Sequence, residues 1–116
     1  MKLDIEKQEI VARYAKALSN PIRVQILYFL ASQEVCFFND IFNALPLAKA
    51  TVSQHLNELK KVGLIHGESS GIKTRYYIDC ACWVEAKTLF KQLFSDCNSI
   101  SCKQDEISKD NLTYIK

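Results

Sequence analysis

The apolar positions of the 116-residue chain change period along its length, and the changes divide it into elements. From Asp4 to Leu18 the set Ile5, Ile10, Val11, Tyr14, Ala15 and Leu18 keeps a helical period. Ser19-Asn20-Pro21 then ends that helix and starts another, with Asn20 as N-cap and Pro21 at the first helical position. The second helix, Ile22 to about Ser32, carries Val24, Ile26, Leu27, Phe29 and Leu30 and is apolar enough to be the central core helix. A short third helix is predicted over about Asn39 to Leu45, and Pro46-Leu47 form a tight turn before a fourth that opens near Lys49. In that fourth helix Val52, Leu56 and Leu59 bury one stripe, while Thr51, Ser53, Gln54, His55 and Asn57 project elsewhere. These short hydrogen-bonding side chains suit base edges, so helix, turn and reading helix are expected.

Gly63 falls where a helix C-cap is expected, after Lys60 and Lys61, which suit the negative end of the helix dipole. Beyond it the pattern reads as two strands, Leu64 to Glu68 and Lys73 to Ile78, joined by Ser69-Ser70-Gly71. A last helix, Ala81 to Phe94, shows the stripe Trp83, Ala86, Leu89, Phe90, Leu93 and Phe94. A domain this small does not bury such a stripe alone, which makes it the expected dimer seam. The chain thus divides into a domain at 1–97 and a polar tail at 98–116, rich in Ser, Lys, Asp and Gln, part of which is expected to be mobile. The expected fold is mostly α with a small β-hairpin wing.

With 48% hydrophobic residues the chain can bury one core and hardly two. No stretch approaches the roughly 20 apolar residues of a membrane helix, and the charged start, Lys2 to Glu9, lacks the apolar block of a secretory signal. A cytoplasmic protein without membrane partners is expected. The net charge of +2 says little, but its distribution says more. Between Ala48 and Arg75 five basic residues face two acidic ones, whereas elsewhere acidic residues outnumber basic by one. The positive excess therefore sits on the segment that would read DNA. An enzyme is not expected. Three glycines provide no phosphate-cradling loop, and neither a GxSxG elbow nor an HExxH pair occurs.

In this order of elements, Leu18-Ser19-Asn20-Pro21-Ile22-Arg23, Thr51-Val52-Ser53-Gln54-His55-Leu56, Gly63-Leu64-Ile65 and Tyr76-Tyr77 resemble the ArsR/SmtB family of small winged-helix repressors. The resemblance runs from Ile5 to Phe94. It implies a homodimer built on the first and last helices that grips double-stranded operator DNA with inverted half-sites and lets go when an inducer binds. Position by position, it implies Thr51, Ser53, Gln54 and His55 at the groove, Lys49 near phosphate, and Lys73 and Arg75 in the wing. Ala48 departs from the pattern, standing where such sequences often have a serine that caps the reading helix.

The five cysteines are Cys36, Cys80, Cys82, Cys97 and Cys102, and in a reducing compartment they read as thiols or metal ligands rather than disulfides. An all-sulfur set suits a soft ion and not calcium, magnesium or manganese. The cysteine cluster with which some relatives bind arsenite before the reading helix is absent, because Cys36-Phe37-Phe38-Asn39-Asp40-Ile41-Phe42 keeps one thiol. Cys36 best fits a plain buried residue. Along one continuous helix Cys82 and Cys97 would lie roughly 22 Å apart at ~1.5 Å per residue, too far to share an ion. Antiparallel pairing of two such helices would bring Cys80 and Cys82 to the partner's Cys97 and Cys102, and the resemblance to zinc- and cobalt-sensing members makes that arrangement plausible. Alternatively, Cys97 and Cys102 close on one ion within a chain, as C-terminal cysteines do in arsenic-sensing relatives. The expected inducer is arsenite or methylarsenite, with zinc or cadmium as alternatives. Two other readings stay open: a redox or reactive-sulfur switch using the same thiols, with Cys97 bridging to Cys36 or to Cys102, and a winged helix serving only protein contacts. His66 is expected on the surface of a wing strand.

Overall fold

The computed structural model describes residues 4–33 and 35–95. The expected tail at 98–116 and the thiols Cys97 and Cys102 lie outside the described residues. Helix α1 (Ile5–Ala17) opens on Asp4, whose carboxylate accepts the Lys7 amide at 2.8 Å. Helix α2 (Pro21–Ala31) begins as expected, with Pro21 at its first position and the Asn20 side chain accepting the Ile22 amide at 2.8 Å. A two-residue strand β1 (Cys36–Phe37) precedes the short helix α3 (Phe38–Asn43), where Asp40 accepts the Phe37 amide at 3.2 Å.

Helix α4 (Lys49–Lys61) starts at Ala48 with no side-chain cap. Its other end is closed in full. Gly63 adopts φ +87°, its amide bonds the Lys60 carbonyl at 2.9 Å, and the Leu64 amide bonds the Leu59 carbonyl at 3.2 Å. That pair of bonds is the Schellman closure, and the left-handed backbone it needs is what glycine supplies. Strands β2 (Ile65–Ser70) and β3 (Lys73–Ile78) form the wing, antiparallel with Ile65 opposite Ile78 and Ser70 opposite Lys73. The link is shorter than expected, since Ser69 and Ser70 belong to β2. Gly71 at φ +72° and Ile72 form a two-residue turn with positive φ at its first position only, the pattern of type II′.

Strand β1 pairs with β3, Cys36 opposite Tyr76 and Phe37 opposite Arg75, so the sheet has three strands in the order β1-β3-β2. Strand β1 has no signature in the sequence, because two residues carry no alternation. Helix α5 (Cys80–Ser95) completes the fold.

One core serves all these elements. Val52, Leu56 and Leu59 of α4 are 0% exposed and pack with Ile26 and Leu30 of α2, Ile41 of α3 and Ile65 of β2. Each such side chain contributes roughly 1.5–3 kcal/mol by leaving water, which is what holds a short uncapped helix in place. The α1–α5 pair is covered only in part. Tyr14, Ala86 and Leu89 are buried, whereas Ile5 (72%), Phe94 (67%) and Leu93 (40%) are exposed.

Candidate nucleic-acid interface and thiol junction

The three buried positions of α4 fix where its polar residues stand. Gln54 and Asn57 lie opposite the core stripe and are exposed, while Thr51, Ser53 and His55 occupy its flanks, half-buried. Lys49 is exposed at the start of the helix, its ammonium 5.7 Å from the centre of the Phe42 ring on α3. On the wing, Lys73 stands 5.2 Å over the Phe37 ring. Arg75 is tied to Glu68 at 2.7 Å, and Tyr77 donates to the other oxygen of Glu68 at 2.9 Å. These two donors hold the Glu68 carboxyl below its ordinary range, Tyr77 most of all. The charge of Arg75 is therefore offset on the wing itself.

His55 is anchored. Its Nδ1 lies 3.2 Å from the Arg23 guanidinium of α2, and burial followed by the Arg23 charge lowers its pKa. Arg23 also donates through Nε to the Ala17 carbonyl at 2.6 Å and through Nη2 to the Lys16 carbonyl at 3.3 Å. Arg23 closes one of the motifs that carry the resemblance, but nothing in the sequence marks its contact with His55, because that partner on α4 lies 32 residues away.

The described cysteines occupy three different settings. Cys36 is 1% exposed in β1, and burial followed by the Asp40 charge pushes its thiol up. Cys80 opens α5 and is exposed. Cys82, two residues on, is half-buried and turned toward α1. Cys80 is thus open to solvent while Cys82 is engaged with Tyr14. Among the described residues no three His, Cys, Asp or Glu side chains are grouped so as to hold a metal ion.

Cys82 instead enters a hydrogen-bonded chain that the sequence reading lacked. Its sulfur is 3.0 Å from the Tyr14 hydroxyl, which donates to Glu85 at 2.5 Å, and 3.5 Å from the Val62 carbonyl. A phenol has one proton, and that proton serves the Glu85 carboxylate, so the single thiol proton is shared between the Tyr14 oxygen and the Val62 carbonyl. Burial pushes the Cys82 thiol up, as do the nearby carboxylates of Asp79 and Glu85. Tyr14, 4% exposed, is itself pushed far up, chiefly by burial.

Asp79 accepts the Cys82 amide at 2.9 Å and pairs with His66 at 2.6 Å, capping α5 and joining it to the wing. These contacts hold its carboxyl below its ordinary range, the Cys82 amide most strongly. His66 is exposed, as expected, but engaged. An aspartate just before a helical stripe is a cap signal that could have identified Asp79. Tyr14 and Glu85 gave none, being 71 residues apart.

A helix-turn-helix whose second member offers a polar face, followed by a β-ribbon wing, is the winged-helix architecture. Residues 20–66 match the family described as bacterial regulatory protein, arsR family. An uncharacterised HTH-type transcriptional regulator of Methanocaldococcus jannaschii is 36% identical over 74 residues, which cover 64% of this chain and 83% of that protein. The cadmium resistance transcriptional regulatory protein CadC of Listeria innocua is 34% identical over 68 residues, covering 59% of this chain and 57% of its own length. The solution structure of a homodimeric winged helix-turn-helix DNA-binding domain from Mycobacterium bovis superposes with a TM-score of 0.61 at 30% identity, over 84% of this chain and 90% of that one. The chain belongs to the ArsR family of transcriptional regulators. No helix among the described residues is long and apolar enough to cross a membrane.

Proposed function

We propose that this regulator is a homodimeric repressor that holds operator DNA when free and releases it when cysteine thiolates capture a thiophilic inducer. The observation that carries the reading is the place of Cys82, whose sulfur meets α1 through Tyr14 and the end of α4 through the Val62 carbonyl. Capturing an ion there removes the thiol proton, and with it the donor shared by Tyr14 and the Val62 carbonyl, so the α1–α5 contact and the end of α4 are disturbed together. Reciprocity then requires DNA to weaken inducer binding by the same factor.

Dimerisation through α1 and α5 is supported by their uncovered apolar ends, Ile5, Leu93 and Phe94, and by the homodimeric M. bovis neighbour. DNA contact is assigned to Lys49, Thr51, Ser53, Gln54, His55, Asn57 and Lys73, with Arg75 contributing once it leaves Glu68. The inducer set is arsenite, methylarsenite, cadmium and zinc; thiolate chemistry suits all four, and the relation to a cadmium-resistance regulator adds weight to cadmium. Exposure of Cys80 favours oxidation as the second reading, with Cys80 rather than the half-buried Cys82 as its nucleophile.

The test is fluorescence anisotropy of the reduced protein on DNA from upstream of its own gene, with each ion and an organic polysulfide titrated in parallel. Release by a thiophilic ion, lost in Cys82→Ser or in Cys97→Ser/Cys102→Ser, is the expected outcome. Release by polysulfide alone, abolished by Cys80→Ser, would retire the ion-sensing reading.

A further inference from the structure

We propose that Arg23 is a positioning residue for DNA reading: its guanidinium fixes His55 as a neutral ring with its proton on Nε2 and ties the start of α2 and the end of α1 to the reading helix. The inference rests on α4 being the reading helix. It begins from donor chemistry. Arginine has only donors, so the 3.2 Å contact between Arg23 Nη1 and His55 Nδ1 requires Nδ1 to accept. A ring that accepts at Nδ1 is neutral and carries its proton on Nε2, the nitrogen farther from Arg23. His55 then presents a hydrogen-bond donor, which fits purine N7, guanine O6, thymine O4 or a phosphate oxygen.

The surroundings hold that state. Two groups act on the ring electrostatically: Arg23 on α2 opposes its protonation, and Glu58 on α4 favours it less strongly than burial and Arg23 disfavour it. Glu58 is itself paired with Lys61 at 3.2 Å. A neutral His55 keeps a fixed donor on the flank of α4 where an imidazolium would add a charge able to attract any phosphate.

The same guanidinium closes the end of α1. Nε and Nη2 donate to the Ala17 and Lys16 carbonyls at 2.6 and 3.3 Å, satisfying the last turn of that helix. Arg23 therefore touches α1 and α4 at once, and a displacement of α1 reaches His55 through one planar group. A lysine cannot reproduce this, because a single ammonium lacks the fork that spans both partners.

The experiment combines imidazole NMR with binding. In the wild-type protein, long-range ¹H–¹⁵N spectra of the His55 ring at pH 7 should show a single Nε2–H tautomer, and its titration midpoint should lie below 6.5. In Arg23→Met the ring should become a tautomer mixture titrating closer to 6.5. The ratio of operator to scrambled-DNA affinity should fall less between pH 7.5 and 6.0 in the wild type than in Arg23→Met, where it should fall several-fold. His55→Gln, which keeps a donor without titrating, should restore a flat profile in the Arg23→Met background. An Nδ1–H or charged ring in the wild type would overturn the proposal without any variant having to fold, and so would a pH-independent ratio in a folded Arg23→Met protein. Failure of the reading-helix assignment shows itself separately, as unchanged operator preference in Ser53→Ala/Gln54→Ala.

Discussion

The outward face of α4 and the junction of α1 with α5 are both polar places on an apolar core, yet they are built in opposite ways. On α4, Gln54 and Asn57 stand exposed above a stripe with no solvent contact at all, a surface already in shape to meet a partner. At the junction, the Cys82 thiol, the Tyr14 hydroxyl and the Glu85 carboxylate spend their hydrogen bonds on one another. A preorganised surface needs little rearrangement to bind. A committed thiol must first give up its partner, and that requirement couples capture of a ligand to the packing of two helices.

The largest effect available is to remove the support of the first region. Leu56→Ala takes a fully buried side chain from the middle of α4 and should cost about 2–5 kcal/mol, read as a lower urea midpoint with operator binding falling alongside. Binding retained at full strength in a protein destabilised by that much would mean that DNA contact does not depend on the placement of α4. Ser53→Ala with Gln54→Ala tests the surface itself. Stability should be unchanged, since Gln54 is exposed and Ser53 half-buried, while operator affinity drops by about 1–3 kcal/mol per lost base contact and affinity for scrambled DNA holds.

The junction should respond in the reverse manner. Tyr14→Phe leaves Cys82 and Glu85 without their shared partner and should cost about 1–3 kcal/mol of stability, with the operator-to-scrambled ratio intact in the absence of inducer. The alkaline limb sharpens this contrast. The Cys82 thiol is raised from 9.0, so the stability it confers is complete below pH 9.0 and is lost as pH climbs through its higher folded value. Cys82→Ala should flatten that limb in urea titrations, though not level it, because the buried Cys36 thiol is raised as well. The smallest effect concerns the start of α4. Ala48 provides no cap, and Ala48→Ser should raise stability by about 1 kcal/mol, seen as a small rise in Tm.

Much of the architecture was readable from spacing. The Asn20-Pro21 start, the Val52, Leu56 and Leu59 stripe, the Gly63 stop and the β3 limits all appear where local signals put them. The exposed ends of α1 and α5 likewise agree with an apolar stripe too broad for one chain to cover. The chemistry of the side chains was less legible. His55, grouped in the sequence with the outward-facing polar residues, stands on a flank against Arg23. Arg75, expected in the wing, stands there held by Glu68 across the strand pair, a contact no local pattern marks. Cys80 and Cys82, both named as ligands from the sequence, stand in different settings, one exposed and the other half-buried against Tyr14.

The sequence by itself determined the order of the elements, their caps and stops, and which face of each is apolar, because those depend on residues within a few positions of one another. Only the tertiary structure decided that Arg23 reaches from α2 to both α1 and α4, that β1 joins the wing through Tyr76 and Arg75, and that Tyr14 joins Cys82 to Glu85. Apart from the six-position reach of Arg23 to Ala17, those contacts bridge 32 to 71 positions of chain. Local periodicity carries no record of them, since hydrogen-bond partners at that separation are chosen by how the core brings the helices together.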